Sequence, residues 1–201
     1  MKKLIPIALI YSRLLFASLI ILLSIQRPEH YREVINILLV AGLVTDVFDG
    51  IIARKLGIST VKLRRLDSIV DQVFWISAMV AAFIICRDFF KTNAVPLVLL
   101  LSAEAITYGV SYIKFKKEVA THAISSKIWT ITILAALIQI ISSCNSTWLF
   151  MTCFYVGMIT RVEIMAILLL ISKWENDVPS VYHAIQIRKG KSINRNKLFN
   201  G

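Results

Sequence analysis

Charged residues are scarce in this chain of 201 residues: Asp, Glu, Lys and Arg make up only 17% of it, whereas hydrophobic residues make up 57%. The mean hydropathy is +0.72. A soluble domain has about 25% charged residues, so the composition excludes a single water-soluble fold. Glycine and proline are also few, at seven and four residues, which excludes collagen-like and low-complexity chains.

Cysteine is equally scarce. Cys86, Cys144 and Cys153 are odd in number and lack the short spacings of zinc sites, which argues against a disulfide framework. We expect all three to be small apolar packing residues.

Long hydrophobic runs dominate the chain. A membrane-spanning helix needs roughly 20 predominantly apolar residues, and charged residues divide the chain into runs of about this length. The predicted spans are residues 4–25, 35–52, 66–86, 94–113, 128–143 and 148–171. The predicted fold is all-α: a polytopic membrane protein with six transmembrane helices in residues 1–172, followed by a basic, partly interfacial cytoplasmic tail in residues 173–201.

The net charge of +11 does not require a nucleic-acid partner, because its distribution follows membrane topology. Most of the 23 Lys and Arg residues share one side of the membrane with the amino terminus. The opposite side receives only Arg27, Arg32, Arg87 and Lys91. The positive-inside rule therefore predicts that both termini are cytoplasmic. The protein is predicted to lie in the inner (cytoplasmic) membrane of the cell, with its active site on the cytoplasmic side. The basic loops are suited to anionic membrane lipids.

The junction between the second and third predicted spans is unusually acidic. Asp46 and Asp49 are three residues apart and Asp67 and Asp71 are four apart, so each pair lies on one helical face. The loop between them reverses the chain, which predicts two antiparallel helices that present four carboxylates to each other. All-oxygen ligands favour Mg²⁺, Mn²⁺ or Ca²⁺ over Zn²⁺. Two such ions commonly clamp a diphosphate.

Small and basic residues adjoin these carboxylates. Gly50 and Ala53 have almost no side chain, so a flat ring or a diphosphate can approach the helix backbone there. Arg54 supplies a cation for a phosphate group. The alternative interpretation, a solvated interfacial turn, does not account for acids that are embedded in apolar sequence.

This arrangement resembles the signature of the CDP-alcohol phosphatidyltransferase family, D-x2-D-G-x2-A-R-x8-G-x3-D-x3-D. The matching positions are Asp46, Asp49, Gly50, Ala53, Arg54, Asp67 and Asp71. One position departs, because Leu63 stands where the family has its second glycine, close to the nucleotide. The resemblance implies six transmembrane helices, cytoplasmic termini and a homodimer.

The resemblance also implies a reaction. The enzyme transfers a substituted phosphate, such as phosphatidyl, from a CDP-linked lipid such as CDP-diacylglycerol to a small polar acceptor alcohol and releases CMP, in phospholipid biosynthesis. Asp46, Asp49 and Asp67 hold two divalent ions, Mg²⁺ or Mn²⁺, while Asp71 ligates one of them and accepts the proton of the acceptor hydroxyl. The residues implied to bind the donor are Asp49, Gly50, Ala53 and Arg54.

The acceptor site has weaker signals. Lys127 and Thr130 resemble the first lysine and the threonine of a Gly-Lys-x-Lys-Thr segment in bacterial phosphatidylglycerophosphate synthases. Arg161, inside the sixth predicted span, is a candidate anion ligand. Lys62 and Arg64 are further candidate cations. Because topology alone accounts for loop cations, a phosphorylated acceptor and a neutral acceptor both stay open.

Other charged residues inside predicted spans are interpreted separately. Arg13 resembles the arginine of a Thr-x-x-Arg segment in the same synthases, and Glu104 resembles the second residue of an Arg-Glu pair whose arginine is replaced by Ala103. Glu104 and Glu163 are expected to pair structurally with Arg13, Arg161 or a lysine.

Two other classes of protein remain as alternatives. A cation transporter also concentrates carboxylates in helices, but its sites lie near the bilayer midplane within internal repeats, whereas these acids gather at one interface. A catalytically degenerate member of the family, acting as a structural partner, is suggested by the departures at Leu63 and Ala103.

Overall fold

A computed structural model of the protein describes residues 5–58, 60–117, 119, 123–175 and 178–191, without the side chains of residues 61, 62 and 64. The described part of the chain is 84% helical. The helices within the described ranges are α1 (Ile5–Gln26), α2 (Tyr31–Lys55), α3 (Val61–Ile85), α4 (Arg87–Thr92), α5 (Ala94–Phe115), α6 (Ile124–Ser143), α7 (Trp148–Leu170) and α8 (Val181–Arg188).

Six of these helices, α1, α2, α3, α5, α6 and α7, are long and apolar enough to cross a membrane. This finding confirms the predicted all-α fold class with six transmembrane helices. The predicted spans and the observed helices differ by a few residues at their ends. Two short helices, α4 and α8, lie outside the predicted spans, and α8 begins shortly after Pro179, which cannot donate a backbone hydrogen bond.

The helices pack into two compact units. The first unit comprises Met1–Lys91 and Leu137–Ser146, and the second comprises Thr92–Ala136 and Thr147–Gly201, so that α6 contributes to both. In the first unit, α1 packs along both α2 and α3, which contact each other much less. The buried residues of α1 recur every three or four positions: Pro6, Ile10, Arg13, Ala17, Ile20 and Ser24.

One close contact joins α2 to α3 in the first unit. A Cβ atom placed on Gly42 of α2 would lie 2.1 Å from Cζ of Phe74 on α3, so the ring packs directly on the α2 backbone. Further along α3, Ala78, Ala81 and Ala82 are fully buried. Small residues at such contacts allow close van der Waals packing of helices in a membrane.

A disulfide bond joins Cys86, after α3, to Cys144, after α6, with a Cα–Cα distance of 5.1 Å. The expectation that all three cysteines are packing residues is therefore wrong for these two. Cys153 is a free, buried cysteine, as expected. The bond spans 58 residues of sequence, and neither the cysteine count nor the spacing reveals that the ends of α3 and α6 meet.

Two arginines strengthen the same end of the first unit. Arg27 Nη2 donates to the carbonyl oxygen of Ile84 at 2.9 Å, and Arg32 Nη1 donates to that of Ser142 at 2.8 Å. The last carbonyl groups of a helix have no intrahelical donor, so these side chains satisfy the ends of α3 and α6. Arg27 and Arg32 therefore have a structural role.

The second unit uses the same device at the end of α7. Lys114 Nζ donates to the carbonyl oxygens of Leu168, Leu169 and Ile171 at 2.8 to 2.9 Å. Helix α5 packs against α7, and α8 packs on α7 as well. The buried apolar cluster around this junction consists of Ala123, Ile164, Ile167, Leu168, Ile171, Val178 and Ala184.

We expect Gly42→Ala to lower the free energy of unfolding by about 1–3 kcal/mol, because the new methyl group overlaps the Phe74 ring in a packed contact. Denaturant or thermal unfolding in detergent micelles measures the change. Gly109→Ala is the matched control, since Gly109 also lies within a transmembrane helix and its Cβ position has nothing within 4 Å. Equal loss of stability in both variants would contradict the prediction.

Candidate active site

The four predicted carboxylates come together in the first unit. Asp46, Asp49 and Asp67 each offer a ligand atom, and these atoms all lie within 4.8 Å of one another. Asp71 joins the group through a shared hydrogen-bond donor, Arg13. The structure thus brings together two residues of α2 and two of α3 that the sequence placed on two separate helical faces.

Arg13 of α1 connects all four carboxylates. Its Nη1 donates to Asp46 Oδ1 at 2.9 Å and to Asp71 Oδ1, and its Nη2 donates to Asp49 Oδ2 and Asp67 Oδ1. The Arg13 side chain is fully buried, with an exposed fraction of 0%. Each nitrogen therefore links one carboxylate of α2 to one of α3.

Arg13 was not among the predicted site residues. The signal that identifies it is its position: it lies inside an apolar span, on the buried face of α1 between Ile10 and Ala17. An arginine in that setting almost always faces the bundle interior, where it pairs with an oppositely charged group or with backbone carbonyl groups. The carboxylates of α2 and α3 are the acidic groups that α1 packs against.

The carboxylates differ in their access to the surroundings of the protein. The Asp49 side chain has an exposed fraction of only 3%, whereas those of Asp46, Asp67 and Asp71 are 32%, 29% and 28% exposed. The cluster therefore has a closed side at Asp49 and an open side formed by the other three. A metal ion or a substrate can approach from the open side.

The two small residues of α2, Gly50 and Ala53, differ in their surroundings. Ala53 is buried. A Cβ atom on Gly50 would lie 3.3 Å from Nη1 of Arg54, so the Arg54 guanidinium lies across the surface of the helix that the glycine leaves open. A flat ring can reach the backbone of Gly50 only if this flexible side chain makes room.

Arg161 and Glu104 form an ion pair in the second unit. Arg161 Nη1 lies 2.8 Å from Glu104 Oε2, and the guanidinium carbon lies 4.5 Å from the centre of the Trp129 ring. Trp129 Nε1 in turn donates to the carbonyl oxygen of Cys153 at 3.2 Å. Of the partners expected for Glu104, the structure therefore selects Arg161.

The structure gives fewer contacts for the other residues predicted to bind the acceptor, Thr130, Lys127, Lys62 and Arg64. Thr130 Oγ1 donates to the carbonyl oxygen of Ser126 at 3.0 Å, within its own helix. Lys127 is exposed on α6. The side chains of Lys62 and Arg64 lie outside the described part of the structure. An acceptor role for all of these residues stays a prediction.

The carboxylate cluster fits hard divalent cations. Its ligand atoms are all carboxylate oxygens, and no His or Cys among the described residues belongs to the cluster. Mg²⁺ and Mn²⁺ prefer such ligands. Arg13 balances one of the four negative charges of Asp46, Asp49, Asp67 and Asp71, so the cluster keeps a net negative charge that attracts cations.

Comparison with known families agrees with this site. A sequence profile described as CDP-alcohol phosphatidyltransferase matches residues 3–174. The chain belongs to the CDP-alcohol phosphatidyltransferase family. The matched region includes all six long helices, and the family transfers a phosphatidyl group from a CDP-alcohol to an alcohol acceptor. Among curated proteins and among solved structures, none matches the chain significantly.

The departure from the CDP-alcohol phosphatidyltransferase signature lies in the first turn of α3. The backbone N–H of Leu63 donates to Oγ1 of Thr60, the residue that caps this helix, at 3.2 Å. The Leu63 side chain is half-buried. Leu63 precedes Asp67 by four residues and therefore lies one turn away on the same helical face. Its side chain occupies space that the family's glycine leaves empty.

We expect Leu63→Gly to lower the KM for the CDP-alcohol donor, because a smaller residue one turn from Asp67 opens access to the carboxylates. Initial rates of CMP release at varied donor concentration measure this effect. Leu63→Ala is the matched control: it removes all of the leucine side chain beyond Cβ, without the helix penalty of about 1 kcal/mol that glycine carries. A donor KM unchanged in both variants would place Leu63 away from the donor.

Proposed function

We propose that the protein is a membrane phosphotransferase that moves a phosphatidyl group from CDP-diacylglycerol, or a similar CDP-linked lipid, to the hydroxyl group of a small polar acceptor, with release of CMP, in phospholipid biosynthesis. The observation that carries the proposal is the convergence of the four signature carboxylates on one point. Membership of the family supports the reaction class.

The proposed metal ligands are Asp46, Asp49 and Asp67, with Asp71 as a further ligand. When bound, two Mg²⁺ or Mn²⁺ ions neutralise the donor diphosphate and stabilise the departing phosphate of CMP. The burial of Asp49 and the partial exposure of Asp46, Asp67 and Asp71 support this assignment. Asp49 closes one side of the cluster, and the donor can reach the other three carboxylates from the open side.

Asp71 is the proposed general base. It lies on the open side of the cluster, with 28% of its side chain exposed, so that an acceptor hydroxyl group can reach it. As the hydroxyl oxygen attacks the phosphorus atom of the phosphatidyl group, Asp71 accepts the hydroxyl proton. The bond from that phosphorus to the oxygen of CMP breaks, and the electron pair leaves with CMP.

Asp49, Gly50, Ala53 and Arg54 are proposed to contact the donor. The Arg54 guanidinium, which lies across Gly50, offers a cation to the donor phosphates. The lipid tail of the donor stays in hydrocarbon while its charged diphosphate stays near water. The reacting phosphorus is therefore proposed to lie near the membrane boundary, beside the four carboxylates, which are six to ten residues from the adjoining ends of α2 and α3.

Arg161, Lys127 and Thr130, with Lys62 and Arg64, are proposed to bind the acceptor. The Nε atom of Arg161 is buried and has no hydrogen-bond partner among the described residues. Arg161 thus retains a donor beyond its pair with Glu104. This spare donor favours a phosphorylated acceptor, such as glycerol 3-phosphate, over a neutral one. An acceptor panel scored by CMP release distinguishes the two.

We place the active site on the cytoplasmic side of the inner membrane, with both termini. The distribution of Lys and Arg supports this orientation. The disulfide bond supports it independently, because Cys86 follows the third span and Cys144 the fifth, and disulfides persist in oxidising compartments outside the cytoplasm. The carboxylates lie in the halves of α2 and α3 that adjoin the loop between these helices, and this loop belongs to the opposite side of the membrane. The tail from residue 173 is proposed to lie at the same cytoplasmic surface, and the enzyme to be a homodimer.

Single replacement of Asp46, Asp49, Asp67 or Asp71 by Ala is expected to lower the rate of CMP release at least about a hundredfold, because the metal and general-base contributions are each that large. The assay uses purified protein, radiolabelled CDP-diacylglycerol and Mg²⁺, with EDTA as the metal-free reference. Asp88→Ala is the control, since Asp88 is an exposed aspartate on α4. Near-normal rates from folded Asp67→Ala and Asp71→Ala proteins would contradict the mechanism.

Cysteine labelling tests the orientation. In a background that lacks Cys153 and keeps the disulfide, Lys55→Cys is expected to react with a membrane-impermeant maleimide only after the cytoplasmic face is exposed. Glu29→Cys is the matched probe of the other side, because Glu29 is exposed in the loop between α1 and α2. It is expected to react from outside intact cells. The reverse pattern would invert the topology.

A further inference from the structure

The pairing of Arg13 with the carboxylates has a consequence for metal binding. We infer that Arg13 is a positioning residue that holds the four carboxylates together while metal is absent, and that its guanidinium competes with divalent ions for the same oxygen atoms. The inference rests on the proposed function in one respect, the binding of divalent ions by this cluster.

The first step of the argument is the burial of the charge. Arg13 is fully buried, and its neighbours on the buried face of α1, Ile10 and Ala17, are apolar. Removing an ionised group from water is costly unless opposite charge and hydrogen bonds compensate it. The described residues within hydrogen-bond distance of the Arg13 side chain that carry opposite charge are the four aspartates. The pairing is therefore a condition of the fold.

The second step is the geometry of the guanidinium group. Nη1 joins Asp46 to Asp71, and Nη2 joins Asp49 to Asp67. Both nitrogens therefore link α2 to α3, two helices that make few direct contacts with each other. The planar fork of arginine is suited to such multiple bonding. Arg13 fixes the distance between the two pairs of ligands before any ion arrives.

The third step is the competition. The oxygen atoms bound to Arg13 belong to the same carboxylates that gather to within 4.8 Å as potential metal ligands. A divalent ion needs some of those oxygen atoms, and the positive guanidinium repels it at close range. One positive charge leaves the four carboxylates with an excess of negative charge, so ions are still attracted, through the open side formed by Asp46, Asp67 and Asp71. Metal binding therefore replaces hydrogen bonds from the Arg13 guanidinium to these carboxylate oxygens with bonds to divalent ions.

The test measures metal affinity rather than activity. Purified, EDTA-treated protein is titrated with Mn²⁺, and free Mn²⁺ is followed by electron paramagnetic resonance. We expect Arg13→Met to lower the Kd for Mn²⁺ at least about tenfold, because a competing and repelling charge is removed. Arg27→Met is the matched control, since it removes an arginine that follows α1 and contacts the Ile84 carbonyl instead. Its Mn²⁺ affinity is expected to equal that of the original protein.

Thermal unfolding provides a second readout. In EDTA, Arg13→Met is expected to unfold at a lower temperature than the original protein, because four carboxylates are left without their cation. Saturating Mn²⁺ is expected to raise the Tm of this variant by more than it raises that of the original protein. A residue that only supported the fold would weaken Mn²⁺ binding when replaced, whereas a competitor strengthens it.

Equal or weaker Mn²⁺ binding by Arg13→Met would overturn the inference. If this variant does not fold even with Mn²⁺, Arg13→Lys takes its place. Lysine keeps the charge but lacks the planar fork, so we expect tighter Mn²⁺ binding by a smaller factor, and equal or weaker binding again overturns the inference.

The Asp67→Ala variant separates the two proposals. If it binds Mn²⁺ as the original protein does, the proposed metal site fails. If it loses Mn²⁺ while Arg13→Met is unchanged, only the role of Arg13 fails.

Discussion

The first unit depends on the compensation of buried charge in an apolar bundle. One arginine and four aspartates occupy positions where isolated ions would be very unfavourable, and each is stabilised because the others are present. The same stripe of α1 that packs apolar side chains above and below Arg13 delivers the arginine to the carboxylates. The same five charged residues therefore form the candidate site and join α1, α2 and α3. A change in the charge of the cluster is expected to change the packing of these three helices as well.

The second unit solves a similar problem with separate local partners. Lys114 neutralises and satisfies the carbonyl end of α7, while Arg161 pairs with Glu104 and lies against the face of Trp129. Gly157 makes this arrangement possible, because a Cβ atom there would lie 2.6 Å from the indole nitrogen of Trp129. Cation–π contacts of this kind gain strength where water is excluded. The charged side chains Lys114 and Arg161 thus each have their own nearby partners, whereas those of the first unit share one cluster.

The sequence predicts the fold and the carboxylates well, because both leave strong periodic signals. Hydrophobic runs indicate the six spans, and the spacings of Asp46 with Asp49 and of Asp67 with Asp71 indicate two helical faces. Two features escape prediction because they depend on contacts between distant segments. Arg13 is recognised as unusual, but its partners are set by the packing of α1 on both α2 and α3. The disulfide depends on the meeting of two helix ends, and neither the odd number of cysteines nor their spacing indicates which two of them pair.

The disulfide also bears on how the protein is made. The chain leaves the first unit after Lys91 and returns at Leu137, and the bond between Cys86 and Cys144 closes this excursion covalently. The bond can form only after α5 and α6 have been inserted, since Cys144 follows α6 along the chain. Formation of the disulfide bond is therefore a late event in biogenesis, and the bond links the end of α6 covalently to the first unit. A ribosome-bound chain that ends before Ser143 already contains Asp46, Asp49, Asp67 and Asp71, but it cannot yet form the disulfide bond.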